Sequence, residues 1–175
     1  DVELLRKGLH HYSRILFVLA NTRALAEKDA VLRNREICRS LVKAIKAEGM
    51  RLEDIFVVSR GDSTLRGHGF VEPQTISEEI GPFDATLHIP AFIEGGRKTV
   101  NGIHLLDGKP VHQTSFAQDH LFGYSTSDLS LWLEEKSLGV IRHQDVQRIS
   151  LDLLNGAMKN ADGELLLLSF LSSLN

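Results

Sequence analysis

Three short runs, each handing over to a polar loop, constrain the fold of this chain more than anything else in it. Ile15-Leu16-Phe17-Val18-Leu19-Ala20 is continuously apolar and of strand length, as expected of a strand covered on both faces. Ile55-Phe56-Val57-Val58 reads the same way, and Thr86-Leu87-His88-Ile89-Pro90 reads as a third strand. Between the first two, Val31, Leu32, Ile37, Leu41, Val42 and Ile45 recur at helical spacing, predicting a helix over residues 26–48 that Gly49 stops. A second helix is expected over residues 73–80, ended by Gly81-Pro82. Strand, loop and helix or crossover in three rounds predict an α/β fold class: three layers, with a mostly parallel sheet flanked by helices.

The rest of the chain adds to this frame. Residues 99–106 and 109–112, joined at Asp107-Gly108, read as a β-hairpin insertion, since Asp-Gly favours the tight primed turn. A helix is expected over residues 127–136, with Ser127 or Asp128 at its cap, Trp132 on its apolar side and Gly139 at its end. Residues 144–158 are a weaker helical pattern, and the apolar stretch from Leu165 onward suits helix or strand.

Ligands of open α/β sheets bind just beyond the carboxyl ends of the strands. Ser59-Arg60-Gly61-Asp62-Ser63-Thr64-Leu65-Arg66-Gly67-His68 sits at such a place. It combines guanidinium forks suited to carboxylate or phosphate with glycines that admit close backbone approach. That is the chemistry of a pocket for a small, polar, anionic molecule. An Asx-turn or helix cap at Asp62, Ser63 and Thr64, tied to its own arginines, is the alternative reading. Asn21-Thr22-Arg23 and Glu94-Gly95-Gly96-Arg97 stand at the other two strand ends. The arrangement predicts that Arg23, Arg66 and Arg97 face a shared cavity.

Composition excludes several classes. A formal charge of -3 and scattered arginines argue against a nucleic-acid partner. Cys38 is the single cysteine, so no disulfide framework or thiolate metal site is available. The longest apolar run falls far short of the ~20 residues of a membrane span, and residues 1–7 lack the order of a signal peptide, so no membrane partner and a cytoplasmic location are expected. His104, His112 and His120 are evenly spaced but fall on different elements without supporting carboxylates, which disfavours zinc. The stretch from Gly102 to Pro110 has a superficial likeness to a P-loop. It places five residues between its glycines, and Pro110 stands where a hydroxyl should hold magnesium, so a hairpin turn is the better reading.

Taken in order, these segments resemble the N-terminal sugar-binding domain of the four-carbon acid sugar kinase family, over about residues 17–154. The likeness rests on Asn21-Thr22-Arg23-Ala24-Leu25, on the loop from Ser59 to His68, and on Pro90-Ala91-Phe92 with Glu94-Gly95-Gly96-Arg97. Thr114, Phe116-Ala117, Asp119, Phe122-Gly123-Tyr124, Ser127-Asp128-Leu129, Glu134-Glu135-Lys136 and Ile149-Ser150-Leu151 extend it. The resemblance implies an ATP-dependent kinase that phosphorylates a four-carbon sugar acid such as threonate, erythronate or a 3-oxo-tetronate. The N-terminal domain would hold the acid and a separate C-terminal domain the nucleotide.

Two departures qualify the carry-over. The family's acidic segment with its Thr-Gly has no counterpart before Phe17, and the nucleotide domain is absent. Residues 1–175 are therefore expected to be a single incomplete sugar-acid-binding domain, cut from a longer protein or a truncated gene product, and inactive alone. ATP and Mg2+ would serve the full-length enzyme, and this piece would bind neither. Substrate contacts are expected from Arg23, Arg60, Asp62, Ser63, Thr64, Arg66, His68, Gly95, Gly96 and Arg97. Asp62 is the candidate to orient the attacking hydroxyl, and Arg97 to stabilise the transferring phosphoryl group or to bind the acid. Asp119 and Tyr124 either close the pocket or pack. A missing segment or the second subunit of a homodimer would cover the apolar tail. The competing functional class is a non-catalytic binding module, such as a truncated or repurposed relative of the type III effector-like proteins.

Overall fold

The chain, described over residues 1–11, 15–150 and 153 in a computed structural model, divides at Pro82 into two units, Asp1–Pro82 and Phe83–Asn175. In the first, α1 (Val2–Leu9), which the sequence reading did not anticipate, is capped by the Asp1 carboxylate, which accepts from Glu3 N at 2.9 Å. α2 (Glu27–Ala47) matches the helix expected over 26–48. It ends in a Schellman turn: Gly49, at φ 67°, donates to Lys46 O, and Met50 donates to Ile45 O at 3.1 Å. α3 (Val71–Ile80) starts two residues before the expected Pro73.

α2 packs against both α1 and α3. Its buried positions are Ala30, Asn34, Cys38, Ala44 and Ile45, so of the bulky stripe the periodicity suggested only Ile45 is fully buried, beside small or polar residues; Leu32 is exposed. Ion pairs fix the two contacts. Arg35 and Arg39 reach Glu79 of α3 at 2.6 and 2.8 Å, while Arg6 and His10 hold Glu48 at the end of α2.

The second unit is built on an antiparallel sheet of order β1-β2-β3: β1 (Arg97–Val100), β2 (Ile103–Leu106) and β3 (Lys109–Pro110). Both connections are two-residue turns with left-handed backbone at each position, Asn101 (φ 50°) with Gly102 (φ 82°) and Asp107 (φ 48°) with Gly108 (φ 81°). The hairpin expected at Asp107-Gly108 is present. The strand expected over 99–106 is in fact folded back on itself at Asn101-Gly102, itself a strong primed-turn pair. α4 (Leu129–Lys136) follows, with Asp128 rather than Ser127 as its cap, accepting from Ser130 N and Leu131 N. Trp132 of α4, His104 of β2 and Val111 after β3 are the most buried side chains described in this unit, between 0 and 1% exposed.

The class is thus mixed α/β, but the mostly parallel three-layer sheet is not seen. Among the described residues the sheet is wholly antiparallel, and residues 15–20, 55–59 and 86–90 stand outside any ladder. Phe17 and Phe56 are 81% and 91% exposed. The physical reason lies in what an apolar run encodes. It specifies a preference for burial, whereas a parallel ladder also needs a distant partner in register; the antiparallel hairpins carry their partner two residues away. The helical pattern over 144–158 is represented in the described residues by a 3-10 turn, His143–Asp145, and irregular chain to 150. Its remainder, like the stretch from Leu165, lies outside the described residues apart from residue 153. Among the described residues no helix is long and apolar enough to cross a membrane.

Candidate functional site

In the first unit the loop after residue 59 folds around one carboxylate. Asp62 Oδ1 accepts from Thr64 N at 3.2 Å, closing an Asx-turn, and Oδ2 accepts from Thr64 Oγ1 at 2.6 Å and from Arg66 Nε at 2.8 Å. Arg23, carried by the 3-10 turn Thr22–Ala24, pairs with the same Oδ2 at 3.6 Å. Two of the three arginines expected to converge therefore do meet, and they meet on Asp62. This is the Asx-turn tied to its own arginines that the sequence offered as the alternative reading.

Burial alone would raise the Asp62 pKa, but the Thr64 hydroxyl and amide and the Arg66 guanidinium outweigh it and hold the carboxyl below its ordinary value. Asp62 is thus an ionised acceptor near neutrality and a weak base. Thr64 and Leu65 are buried, and Leu65 holds a left-handed φ of 63° that an L-leucine adopts at a cost. His68 Nε2 donates to Leu25 O at 3.0 Å, tying the loop to the segment that carries Arg23, and its own carbonyl accepts from Glu72 N in α3. Ser63 is half-buried and Arg60 is exposed.

In the second unit the Glu94-Gly95-Gly96 stretch is pinched into a loop by paired bonds between Phe92 and Arg97, N to O at 3.0 and 2.9 Å. The glycines are required by what lies against them. A β-carbon on Gly95 would fall 2.3 Å from Arg97 Nη1, and one on Gly96, at φ 73°, would fall 1.9 Å from Asp107 Oδ1. The Arg97 guanidinium lies over the Phe92 ring at 5.4 Å and over the Phe116 ring at 6.0 Å. Its Nε is buried without a hydrogen-bond partner among the described residues. A guanidinium set on aromatic faces, with a desolvated donor, is suited to an oxyanion.

Phe92 and Phe116 were quoted for the family likeness but not as site residues. Their spacing from Arg97 gives no periodic signal, and only the folded loop brings them to it. Tyr124 is buried, donates its N–H to Ala117 O and lies under Lys136 Nζ, while Asp119 caps the amides of Leu121 and Phe122. Both have packing and turn roles. Ser127 Oγ accepts from His112 N and bonds His112 Nδ1, and His104 Nδ1 bonds Thr99 Oγ1 at 2.9 Å. Among the described residues no group of three His, Cys, Asp or Glu side chains is placed to hold a metal ion. The stretch from Gly102 to Pro110 is β2, its turn and β3, followed by the single 3-10 turn Val111–Gln113, so its glycines belong to hairpin turns.

A family model described as the sugar-binding N-terminal domain matches residues 2–166, and the chain belongs to that family. The likeness to the N-terminal domain of four-carbon acid sugar kinases holds. A relative named D-erythronate kinase, from Heliobacterium modesticaldum, is 30% identical over 105 residues, which cover 60% of this chain and 22% of that protein. No solved structure matches the chain.

Proposed function

We propose that this chain is the substrate-binding part of an ATP-dependent kinase acting on a four-carbon sugar acid of the threonate, erythronate or 3-oxo-tetronate type. The observation that carries the reading is the state of Arg97: a guanidinium on two aromatic rings, held against a glycine, with a buried donor that no group among the described residues meets. In this reading Arg97 receives the carboxylate. Gly95 and Gly96 keep the approach open, and Arg23, Arg60, Ser63, Thr64, Arg66 and His68 belong to the substrate-binding set. Asp62 positions Arg23 and Arg66 and stands as an ionised acceptor for a sugar hydroxyl.

ATP and Mg2+ supply the phosphoryl group and its charge neutralisation in the whole enzyme, and the resemblance assigns them to another domain. The family match and the kinase relative support the class. The mostly parallel sheet belongs to the same proposal, because pairing residues 15–20 with 55–59 as buried strands would take Phe17 and Phe56 out of water.

Titration calorimetry of the purified chain with D-erythronate tests the reading. Binding is expected, with Arg97→Met weakening it at least tenfold, the size of one lost charge-assisted hydrogen bond. A folded protein that binds none of the three acids overturns it.

A further inference from the structure

Among the described residues four buried side-chain nitrogens have no hydrogen-bond partner: Arg35 Nε, His88 Nε2, Arg97 Nε and Trp132 Nε1. Arg35 Nε lies 2.6 Å from a Glu79 carboxylate oxygen, so its charge is met even though the angle is poor for a hydrogen bond. The other three belong to the second unit. A buried polar nitrogen left unmet is costly, so three in one small unit call for a common cause.

Their connection runs through the sheet. The register pairs Arg97 with Leu106 and Thr99 with His104, which places Arg97, Thr99 and His104 on one face. His104, fully buried, bonds Thr99 on that face and depresses the His88 pKa by its nearness. His88 in turn stacks on Trp132, centroids 5.1 Å apart and planes 18° from parallel. We infer that His88 Nε2 and Trp132 Nε1 form a hydroxyl-recognising subsite, taking the alcohol groups of the acid whose carboxylate Arg97 receives; this rests on the function proposed above.

The chemistry selects the ligand class. The Trp132 indole N–H only donates, and neutral His88 in the Nδ1-protonated tautomer, which this subsite requires, offers Nε2 as an acceptor. A hydroxyl carries both a lone pair and a proton and satisfies the two together. A carboxylate has no proton to give to that Nε2 and would require the other tautomer or an imidazolium; burial first, and His104 second, push the His88 pKa down to about 4 and so disfavour the imidazolium. His88 stands outside any ladder, between Leu87 and Ile89, which are 51% and 75% exposed, so no ladder hydrogen bond holds this segment in place.

Trp132 is the single tryptophan, so one indole resonance in a 1H–15N spectrum reports the subsite. The protein is titrated separately with D-erythronate, with erythritol, which has the hydroxyls without the carboxylate, and with succinate, which has carboxylates without hydroxyls. The indole peak is expected to move with erythronate and with erythritol, and to stay with succinate. His88→Phe, which keeps a ring on Trp132, is expected to abolish the erythritol shift and to weaken erythronate about five- to tenfold. An indole peak unmoved by erythritol, or moved equally by succinate, overturns the subsite. Erythronate binding that is lost in Arg97→Met but unchanged in His88→Phe overturns the subsite and leaves the sugar-acid reading standing. Absence of erythronate binding with an intact erythritol shift does the reverse.

Discussion

Gly95 and Arg97 are in such close contact that a single methyl at Gly95 would overlap the guanidinium, the built β-carbon falling 2.3 Å from Nη1 and 2.5 Å from the Phe92 ring. No positive φ is involved at Gly95, so the penalty of Gly95→Ala is purely one of space. The ring and the guanidinium must both shift by about an ångström, a displacement that costs an oriented ionic contact up to about a hundredfold. We expect Gly95→Ala to lower erythronate affinity by one to two orders of magnitude in calorimetry while the thermal midpoint moves little. A midpoint that collapses with the affinity would assign the glycine to folding instead.

Two leucines in the left-handed region make a matched pair. Leu138 follows α4 at φ 53°, donates to Glu135 O as the pivot of a Schellman turn, and is 93% exposed. Leu65 sits in the polar loop at φ 63° and is 2% exposed. Glycine relieves about 1–2 kcal/mol of backbone cost at either position and returns part of it through the more flexible unfolded chain. Leu138→Gly is therefore expected to stabilise by about 0.5–1 kcal/mol. Leu65→Gly gives up a buried side chain as well and is expected to destabilise by about 2 kcal/mol. Urea unfolding of both variants checks the opposite signs.

How much of this was legible in the sequence depended on whether the signal was local. α2, with its Gly49 stop, and the Asp107-Gly108 hairpin were readable because cap, periodicity and turn lie within a few residues. The Asn101-Gly102 turn was just as local but was hidden inside an apolar stretch taken as one strand. The parallel sheet was argued from apolar runs, which say nothing about partners. Arg23 and Arg66 were expected to face a shared cavity, with Asp62 tied to its own arginines as the alternative; the salt-bridged cluster on Asp62 matches the alternative. The rings around Arg97 and the stack of His88 on Trp132 join residues 5 to 44 apart and leave no periodic trace.

His88 makes the second unit sensitive to mild acid. Its folded pKa, about 4, lies below the ordinary 6.5 because burial disfavours the imidazolium. Between these values the unfolded chain binds the proton and the folded chain does not, so stability is whole above about pH 6.5 and falls as pH drops toward 4. The shift corresponds to about 3 kcal/mol over that window. Urea midpoints measured from pH 7 to 4 should decline in the wild-type protein and flatten in His88→Phe. Equal slopes in the two proteins would place the sensitivity elsewhere.

Asp62 gives the opposite experiment, a carboxylate whose value lies in its charge. Asp62→Asn keeps an oxygen for Thr64 N and hence the Asx-turn, but removes the anion that Arg66 holds at 2.8 Å and Arg23 at 3.6 Å. A hydrogen bond to a charged group is worth about 1.5–3 kcal/mol, so the variant should lose about 2 kcal/mol at pH 7. Because the folded carboxyl titrates below its ordinary value, this contribution is present above about pH 4 and is lost as pH falls through the folded pKa, where wild type and variant should converge. In calorimetry the same substitution releases the two guanidiniums from a fixed geometry, and erythronate affinity should fall with it. A variant that loses stability at pH 7 yet binds the acid as tightly as wild type would make the Asp62 cluster a purely structural clasp.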